Sequence, residues 1–284
     1  MIRFDYFRPS SLEEAFKLKR TYSGAIYVSG ATDVMVRIKN RELRPPVLIS
    51  LRNIPELSSI EINGGACIGA LVTISDISKN PDLDRRYSVL VQAARRLGSV
   101  QIRNAATVGG NLCNCSPCAD TATPLLVLEA KVRLRSPEKT REIPIRDFFK
   151  GPGEAALMGD EMLTEIKLDP PEEGTRAIFL KKGRVKMDLA VASVAVLVVW
   201  DGKRCSKVRI AAGSVAPVPL RLDRVEKLLE GSPLSKDLLT EAQKLAEESV
   251  SPITDIRSTE EYRRRIIGVY VKRSLEQLLA GNWK

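Results

Sequence analysis

The run LAVASVAVLVVW at 189–200, closed by Asp188 and Asp201, constrains the fold most. It falls well short of the ~20 apolar residues that a membrane-spanning helix needs, so it reads as a buried strand. The N-terminal MIRFDYFRPSS lacks the apolar core and small-residue cleavage site of a signal peptide. A cytoplasmic protein with no membrane span is expected.

Around that strand the chain reads as two halves. Ser10-Ser11-Leu12-Glu13-Glu14 offers a helix start with a capping carboxylate, and the helix should run to about Arg20. AIYVSG, VLISL at 47–51, SSIEING at 58–64 and ACIGAL at 66–71 read as short strands with turns at Pro55 and Gly64-Gly65. LVQAARRLG, from Leu90 to Gly98, spaces its apolar residues for one helix face and stops at glycine. PLLVLEAKVRLRS at 124–136 reads as a strand entering a sheet. DPPEEGTR at 169–176 looks like a linker. Beyond it AIFLKKGR, the buried strand and KVRIAAGSV at 207–215 precede three helices, the last opened by a Ser258…Glu261 capping box and closed by Gly281. The expected domains are 1–172, with subdomains of about 1–55 and 56–172, and 173–284. There is no solenoid repeat and no low-complexity tract.

Among 284 residues there is no histidine. That removes the usual general base, every histidine-ligated metal and every Ser-His-Asp or Cys-His arrangement. Carboxylate or lysine catalysis, thiolate ligation, or a bound cofactor that does the chemistry itself remain. The formal charge of +10 suits an anionic ligand or an acidic partner. The densest basic group, RRR at 263–265 with Lys272 and Arg273, shares its helix with Glu260, Glu261 and Glu276, and no aromatic-rich RNA-binding signature or DNA-reading helix pair accompanies it. Nucleic acid is not expected as a partner.

Two stretches have the character of phosphate cradles: Val28-Ser-Gly-Ala-Thr-Asp33 after a strand, and Thr107-Val-Gly-Gly-Asn111 after a helix. Glycine lets backbone N–H groups approach an anion, and hydroxyls add donors. A pair of tight turns would leave the same trace. Gly151-Pro-Gly153-Glu-Ala-Ala156 matches a dinucleotide pattern, but a proline stands where that fold needs a strand-to-helix turn. The segment at 103–120, read as too irregular for a helix, also holds Cys113, Cys115 and Cys118 with C-x-C-x2-C spacing. A four-iron cluster usually takes four thiolates, and Cys67 and Cys205 are distant in sequence, so reduced or disulfide-bonded cysteines are expected ahead of cluster or zinc ligands.

From FDYFRPSSLEEAFKL through VSGATDVMVRIK, IGALVTISDI, IRNAATVGGNLCNCSPCADTATPLLVLEA, FLKKGR…DLAVASVAV and AAGSVAPVPLR to DIRSTEEYRRRIIGVYVKR, the chain resembles the FAD-binding medium subunit of the xanthine dehydrogenase and aerobic carbon monoxide dehydrogenase family of molybdenum hydroxylases. The resemblance implies a two-part α/β FAD-binding domain followed by a smaller α+β domain of antiparallel strands and helices. It implies that Tyr27, Val28, Ser29, Gly30, Ala31, Thr32, Asp33 and Val34, with Thr107, Val108, Gly109, Gly110 and Asn111, wrap the FAD pyrophosphate. Asp120 matches an aspartate that contacts the ribityl region, and Leu97, Leu163 and Lys181 match further FAD contacts. Two departures stand out: Ala31 occupies a position that is glycine in many relatives, and cysteines occupy positions 115 and 118 where alanine is common. From their place in FLKKGR, Lys181 or Arg184 would stabilise anionic reduced flavin if they lie near the pyrimidine edge of its ring; a solvated basic turn is the other reading of the same residues.

The implied function is that of an electron-transfer oxidoreductase subunit in a heterotrimer. A small subunit with two 2Fe-2S clusters and a molybdopterin-binding large subunit are the implied partners, with electrons leaving through FAD to an external acceptor. A flavin-free assembly or binding module of the same fold is the alternative.

Overall fold

The computed structural model describes residues 3–201 and 204–281. The outermost residues of the two expected domains, 1–2 and 282–284, lie outside the described residues, as do 202 and 203.

The N-terminal part opens with β1 (Asp5–Phe7), α1 (Leu12–Thr21), β2 (Ile26–Val28), α2 (Val34–Lys39) and β3 (Val47–Ser50). Ser11 Oγ accepts from Glu14 N at 3.2 Å and caps the helix, while the Glu14 carboxylate accepts from Ser10 N, one residue before the cap, rather than from Ser11 N. The strands form a parallel sheet in the order β1-β3-β2.

The next part runs β4 (Ile60–Asn63), β5 (Gly65–Gly69), six short helices and β6 (Lys131–Arg135), β7 (Thr140–Pro144), β8 (Phe149–Gly151), β9 (Glu154–Ala155) and β10 (Met162–Leu168). The helices are α3 (Ile74–Lys79), α4 (Pro81–Arg86), α5 (Ser88–Arg96), α6 (Val100–Ala105), α7 (Val108–Cys113) and, just before β6, α8 (Ala122–Val127), which makes six in all. Strands β4-β5-β10-β6-β7 make an antiparallel sheet. The GPGEAA stretch is the β8–β9 hairpin, with Gly153 in its turn at a φ of 77°, and no helix follows it.

Two expectations fail here. Residues 108–113 are helical despite two adjacent glycines, because Thr107 caps the helix and Gly109 lets it lie against Ala70. Residues 122–127 are helical as well, and the strand starts only at Lys131. A short apolar run does not by itself distinguish a buried helix from a buried strand.

The C-terminal sheet is antiparallel, β11 (Thr175–Lys182), β12 (Ala192–Trp200), β13 (Cys205–Gly213) and β14 (Leu220–Arg221), followed by α9 (Asp223–Leu229), α10 (Lys236–Glu248) and α11 (Glu260–Leu279). The buried strand expected at 189–200 is β12. Its alternate residues serve two cores: Ala195, Leu197 and Val199 pack with α5 and α8 of the preceding part, whereas Val194, Val196 and Val198 pack under α9–α11. Side chains alternate across a strand, so a strand covered on both faces must be apolar throughout. The cap of α11 is Thr259, whose Oγ1 accepts from Tyr262 N at 3.3 Å, one residue beyond the expected Ser258; Gly281 ends it at a φ of 79°. Among the described residues no helix is long and apolar enough to cross a membrane.

Candidate functional site

The two glycine loops come together. The first leaves β2 after Val28, which is held in register against Ser50 of β3. Arg52 donates to the Ser29 carbonyl at 3.2 Å, anchoring the loop by its oxygen side. Ala31 has a φ of 59°, the left-handed region that glycine occupies without strain, and Asp33 precedes α2. The backbone N–H groups of Gly30, Ala31, Thr32 and Asp33 donate to no partner among the described residues. They are the donors a bound anion requires.

The second loop is held differently. Val108 N donates to Val72 O at 3.0 Å and Gly109 N to Ala70 O at 2.9 Å, while Gly110 N donates to Thr107 Oγ1 at 3.1 Å. Its first N–H groups are therefore already used in placing it. Thr107 Oγ1 in turn donates to Ser29 Oγ at 2.9 Å, joining the loops directly. The approach is close enough to demand glycine: a Cβ on Gly30 would lie 2.1 Å from Ala105 O, and one on Gly109 would lie 2.6 Å from Ala70 Cβ. Both clashes fall on atoms fixed to the main chain, which cannot move aside cheaply.

From α7 the chain turns through the three cysteines to Asp120. Asn111 Oδ1 accepts from Thr121 Oγ1 at 2.6 Å, tying the second loop to this segment. Asp120 Oδ2 accepts from Lys181 Nζ at 2.6 Å, and Lys181 also donates to Arg96 O at 3.2 Å. Both side chains are 5% exposed. Burial pushes the Asp120 carboxyl up to about 6, against the opposing pull of the Lys181 ammonium. Its other oxygen, Oδ1, is shielded from water and has no hydrogen-bond partner. Tyr27 also has a shielded, unpartnered hydroxyl, whose ionisation burial pushes upward.

Leu97 and Leu163 stand further back. Leu97 ends α5, with its carbonyl accepting from Arg103 at 3.0 Å. Leu163 faces Leu134 across β10 and β6. Both belong to the apolar cluster that contains Val108 and Leu112. Ala70 relays the β10 position to the second loop, since its N–H donates to Thr164 O at 2.9 Å while its own carbonyl holds Gly109.

The thiols do not converge on a metal. Cys115 is buried, with a φ of 45° and Sγ directed to Leu112 O at 3.2 Å, whereas Cys118 accepts from Arg257 Nη1 at 3.2 Å. Burial pushes the Cys113 thiol up to about 12 and the Cys115 thiol up to about 11, which opposes the thiolate form that ligation needs. Among the described residues no group of three or more histidine, cysteine, aspartate or glutamate side chains could hold a metal ion.

Two site-shaping residues were missed by sequence reasoning. Arg52 carries no motif at all, and only its distance to Ser29 shows its use. Arg257 lies in DIRSTEEYRRR, a stretch that belongs to the resemblance but that names no contact. A concavity of about 450 Å³ lined by Glu13, Phe16, Lys17, Arg20, Arg135 and Ser136, among others, lies on α1 and the β6–β7 turn and includes none of the expected site residues.

Comparison with known proteins agrees in family. A model of the FAD binding domain in molybdopterin dehydrogenase matches residues 2–171, and one of the CO dehydrogenase flavoprotein C-terminal domain matches 177–278. The xanthine dehydrogenase FAD-binding subunit of Escherichia coli is 30% identical over 279 residues, which cover 97% of this chain and 96% of that one. The carbon monoxide dehydrogenase medium chain of Afipia carboxidovorans is 31% identical over 279 residues, covering 98% and 97%. Among solved structures, a carbon monoxide dehydrogenase chain from Hydrogenophaga pseudoflava superposes with a TM-score of 0.95 at 31% identity and 99% coverage of both chains.

Proposed function

The chain belongs to the FAD-binding medium subunits of the molybdopterin hydroxylase family, that of xanthine and carbon monoxide dehydrogenases, and on that premise we propose that it is the electron-transfer flavoprotein of a heterotrimer. It is an oxidoreductase subunit with an FAD-binding domain. In the proposed assembly a molybdopterin-binding large subunit oxidises the substrate, a small subunit with 2Fe-2S clusters carries electrons to this chain, and an external acceptor removes them. The complex works in the cytoplasm. Residues 1–172, in subdomains of about 1–55 and 56–172, form the cofactor domain, and 173–284 form the C-terminal domain.

The residues fit FAD by three features. The free N–H groups of Gly30, Ala31, Thr32 and Asp33, with the Ser29 and Thr107 hydroxyls, meet the diphosphate. Gly30, packed on Ala105, and Gly110, packed on the Ser29 hydroxyl, keep the two loops close enough to act together. Asp120 Oδ1 is a buried acceptor without a donor, which a ribityl hydroxyl would supply. Bound flavin would supply redox chemistry in one- and two-electron steps, which protein side chains alone do not provide. Lys181, which reaches Asp120 from β11, holds that carboxylate in place and adds positive charge on the cofactor side.

The orphaned oxygen of Asp120 carries this reading. An equilibrium titration of FAD against Asp120→Ala tests it: affinity at least about 10-fold below that of the unaltered chain is expected from the loss of one charge-assisted hydrogen bond. Equal affinity would remove Asp120 from the site.

A further inference from the structure

Two arms reach from the start of α11 to the short segment that carries Asp120. Both begin at Arg263, which is 1% exposed and donates to Val191 O at 2.8 Å, to Ser214 O at 3.1 Å and to Asp255 Oδ1 at 2.6 Å. Along the first arm, Ser214 has a φ of 66°, a left-handed conformation that a residue with a Cβ holds only where its surroundings impose it. There its N–H donates to Pro117 O at 2.7 Å. Along the second arm, Asp255 Oδ2 accepts from Arg257 Nε at 3.0 Å and Nη2 at 2.6 Å, and Arg257 Nη1 donates to Cys118 Sγ at 3.2 Å. Burial acts to raise the Asp255 carboxyl, but the guanidinium groups of Arg257 and Arg263 hold it well below the usual carboxylate range, so the cluster is ionised at neutral pH.

The arms meet on neighbouring residues. Pro117 and Cys118 are the middle of a turn closed by Ala119 N on Ser116 O at 3.0 Å, and Asp120 follows it directly. Lys181 adds a third hold, on Oδ2 of Asp120 itself. The guanidinium fork is planar and rigid, so the bonds from Nε and Nη2 to Asp255 fix where Nη1 points. A hold on one carboxylate oxygen alone would let Asp120 swing about Lys181, and two further holds on the turn before it remove that freedom. The oxygen with no partner, Oδ1, is thereby set in one place before any ligand arrives.

We propose that Arg257, anchored by Asp255 and Arg263, is a positioning residue for the cofactor, acting through Cys118 to present Asp120 to FAD. The inference rests on the flavin reading above. A carboxylate already in place loses less freedom when the ligand binds, so the hold is expressed as affinity. Cys118 is one of the two departures from the family pattern, which makes this hold the chain's own, and its loss should weaken binding rather than abolish it. Arg257 then matters only where Asp120 is present to accept. General support of the fold would act alike with and without that carboxylate.

A double-mutant cycle tests the proposal, with equilibrium FAD titrations and thermal melts on the full chain carrying Arg257→Met, Cys118→Ala or neither, each with Asp120 intact or replaced by Ala. With Asp120 intact, each substitution should weaken FAD binding at least about 5-fold; in the Asp120→Ala background neither should weaken it by more than about 2-fold further. Cys118→Ser keeps an acceptor for Arg257 and should bind within about 2-fold of the unaltered chain. Cys118→Ala removes only the sulfur, so it reads the contact even if Arg257→Met fails to fold. Full FAD affinity in Cys118→Ala, or an equal loss with and without Asp120, would overturn the proposal and leave the flavin reading standing. An unaltered chain that takes up no FAD would sink the flavin reading and the inference with it.

Discussion

Asp120 and Lys181 stand 61 residues apart in sequence and 2.6 Å apart in space, both nearly closed to water, and join the segment after α7 to the end of β11. The pair ties the two halves of the chain together beside the glycine loops. It also holds a carboxylate whose second oxygen is left free for a ligand.

Replacing Lys181 by Met leaves that carboxylate buried and alone, a change that costs about 3 kcal/mol or more. The pH dependence has a defined sign. Burial pushes the Asp120 carboxyl up to about 6 in the folded chain, above its ordinary value of 3.8, so the folded state holds its proton more tightly and stability from this group falls as pH rises through that window. Without the ammonium the folded value moves higher still, and the deficit of Lys181→Met relative to the unaltered chain grows as pH rises above about 6. Urea unfolding at several pH values measures it, and Asp120→Asn in the same background should remove the growth. In the FAD-loaded protein the flavin potential should move to a more negative value; an unchanged potential would limit Lys181 to holding Asp120.

The close approach of the loops predicts a graded glycine series. Gly30→Ala and Gly109→Ala each drive a methyl group into main-chain-fixed atoms and should lower stability by about 2 kcal/mol or more and FAD affinity at least about 10-fold. Gly110→Ala meets the Ser29 and Thr107 hydroxyls instead, at 2.7 and 3.0 Å, and should cost less. Thermal melts and FAD titrations on the three variants give the order, and a Gly110 variant worse than the other two would contradict the geometry.

Ala31→Gly runs the other way. A φ of 59° strains any residue with a Cβ by about 1 kcal/mol, and glycine relieves that strain at some cost in unfolded-state entropy. The variant should be no less stable than the unaltered chain and should bind FAD at least as tightly. Weaker binding would mean that the methyl group itself touches the cofactor.

These sites differ in how far the sequence exposes them. The buried strand β12 is legible because its apolar run reflects cover on two faces, a local pattern with a single cause. The glycine loops are legible as loops, but their contact through Thr107 and Ser29 links residues 78 apart, and no local pattern carries it. Helix α7 is hidden because its glycines serve close packing, Gly109 against Ala70 and Gly110 against the Ser29 and Thr107 hydroxyls, and glycine reads as a helix breaker until those neighbours are known. Helix α8 is hidden because it is buried all round and so has no polar face to set a period. The hold of Arg257 on Cys118 spans 139 residues and follows from the fold alone.

The visible absorption spectrum of the purified chain, before and after incubation with FAD and removal of the excess, tests the central claim most directly. A flavoprotein built on the Ser29–Asp33 and Thr107–Asn111 loops predicts bands near about 450 nm retained at one flavin per chain, and their loss in Gly30→Ala. A colourless protein that retains no flavin, alone or with its partner subunits, would contradict it and reduce the two loops to turns.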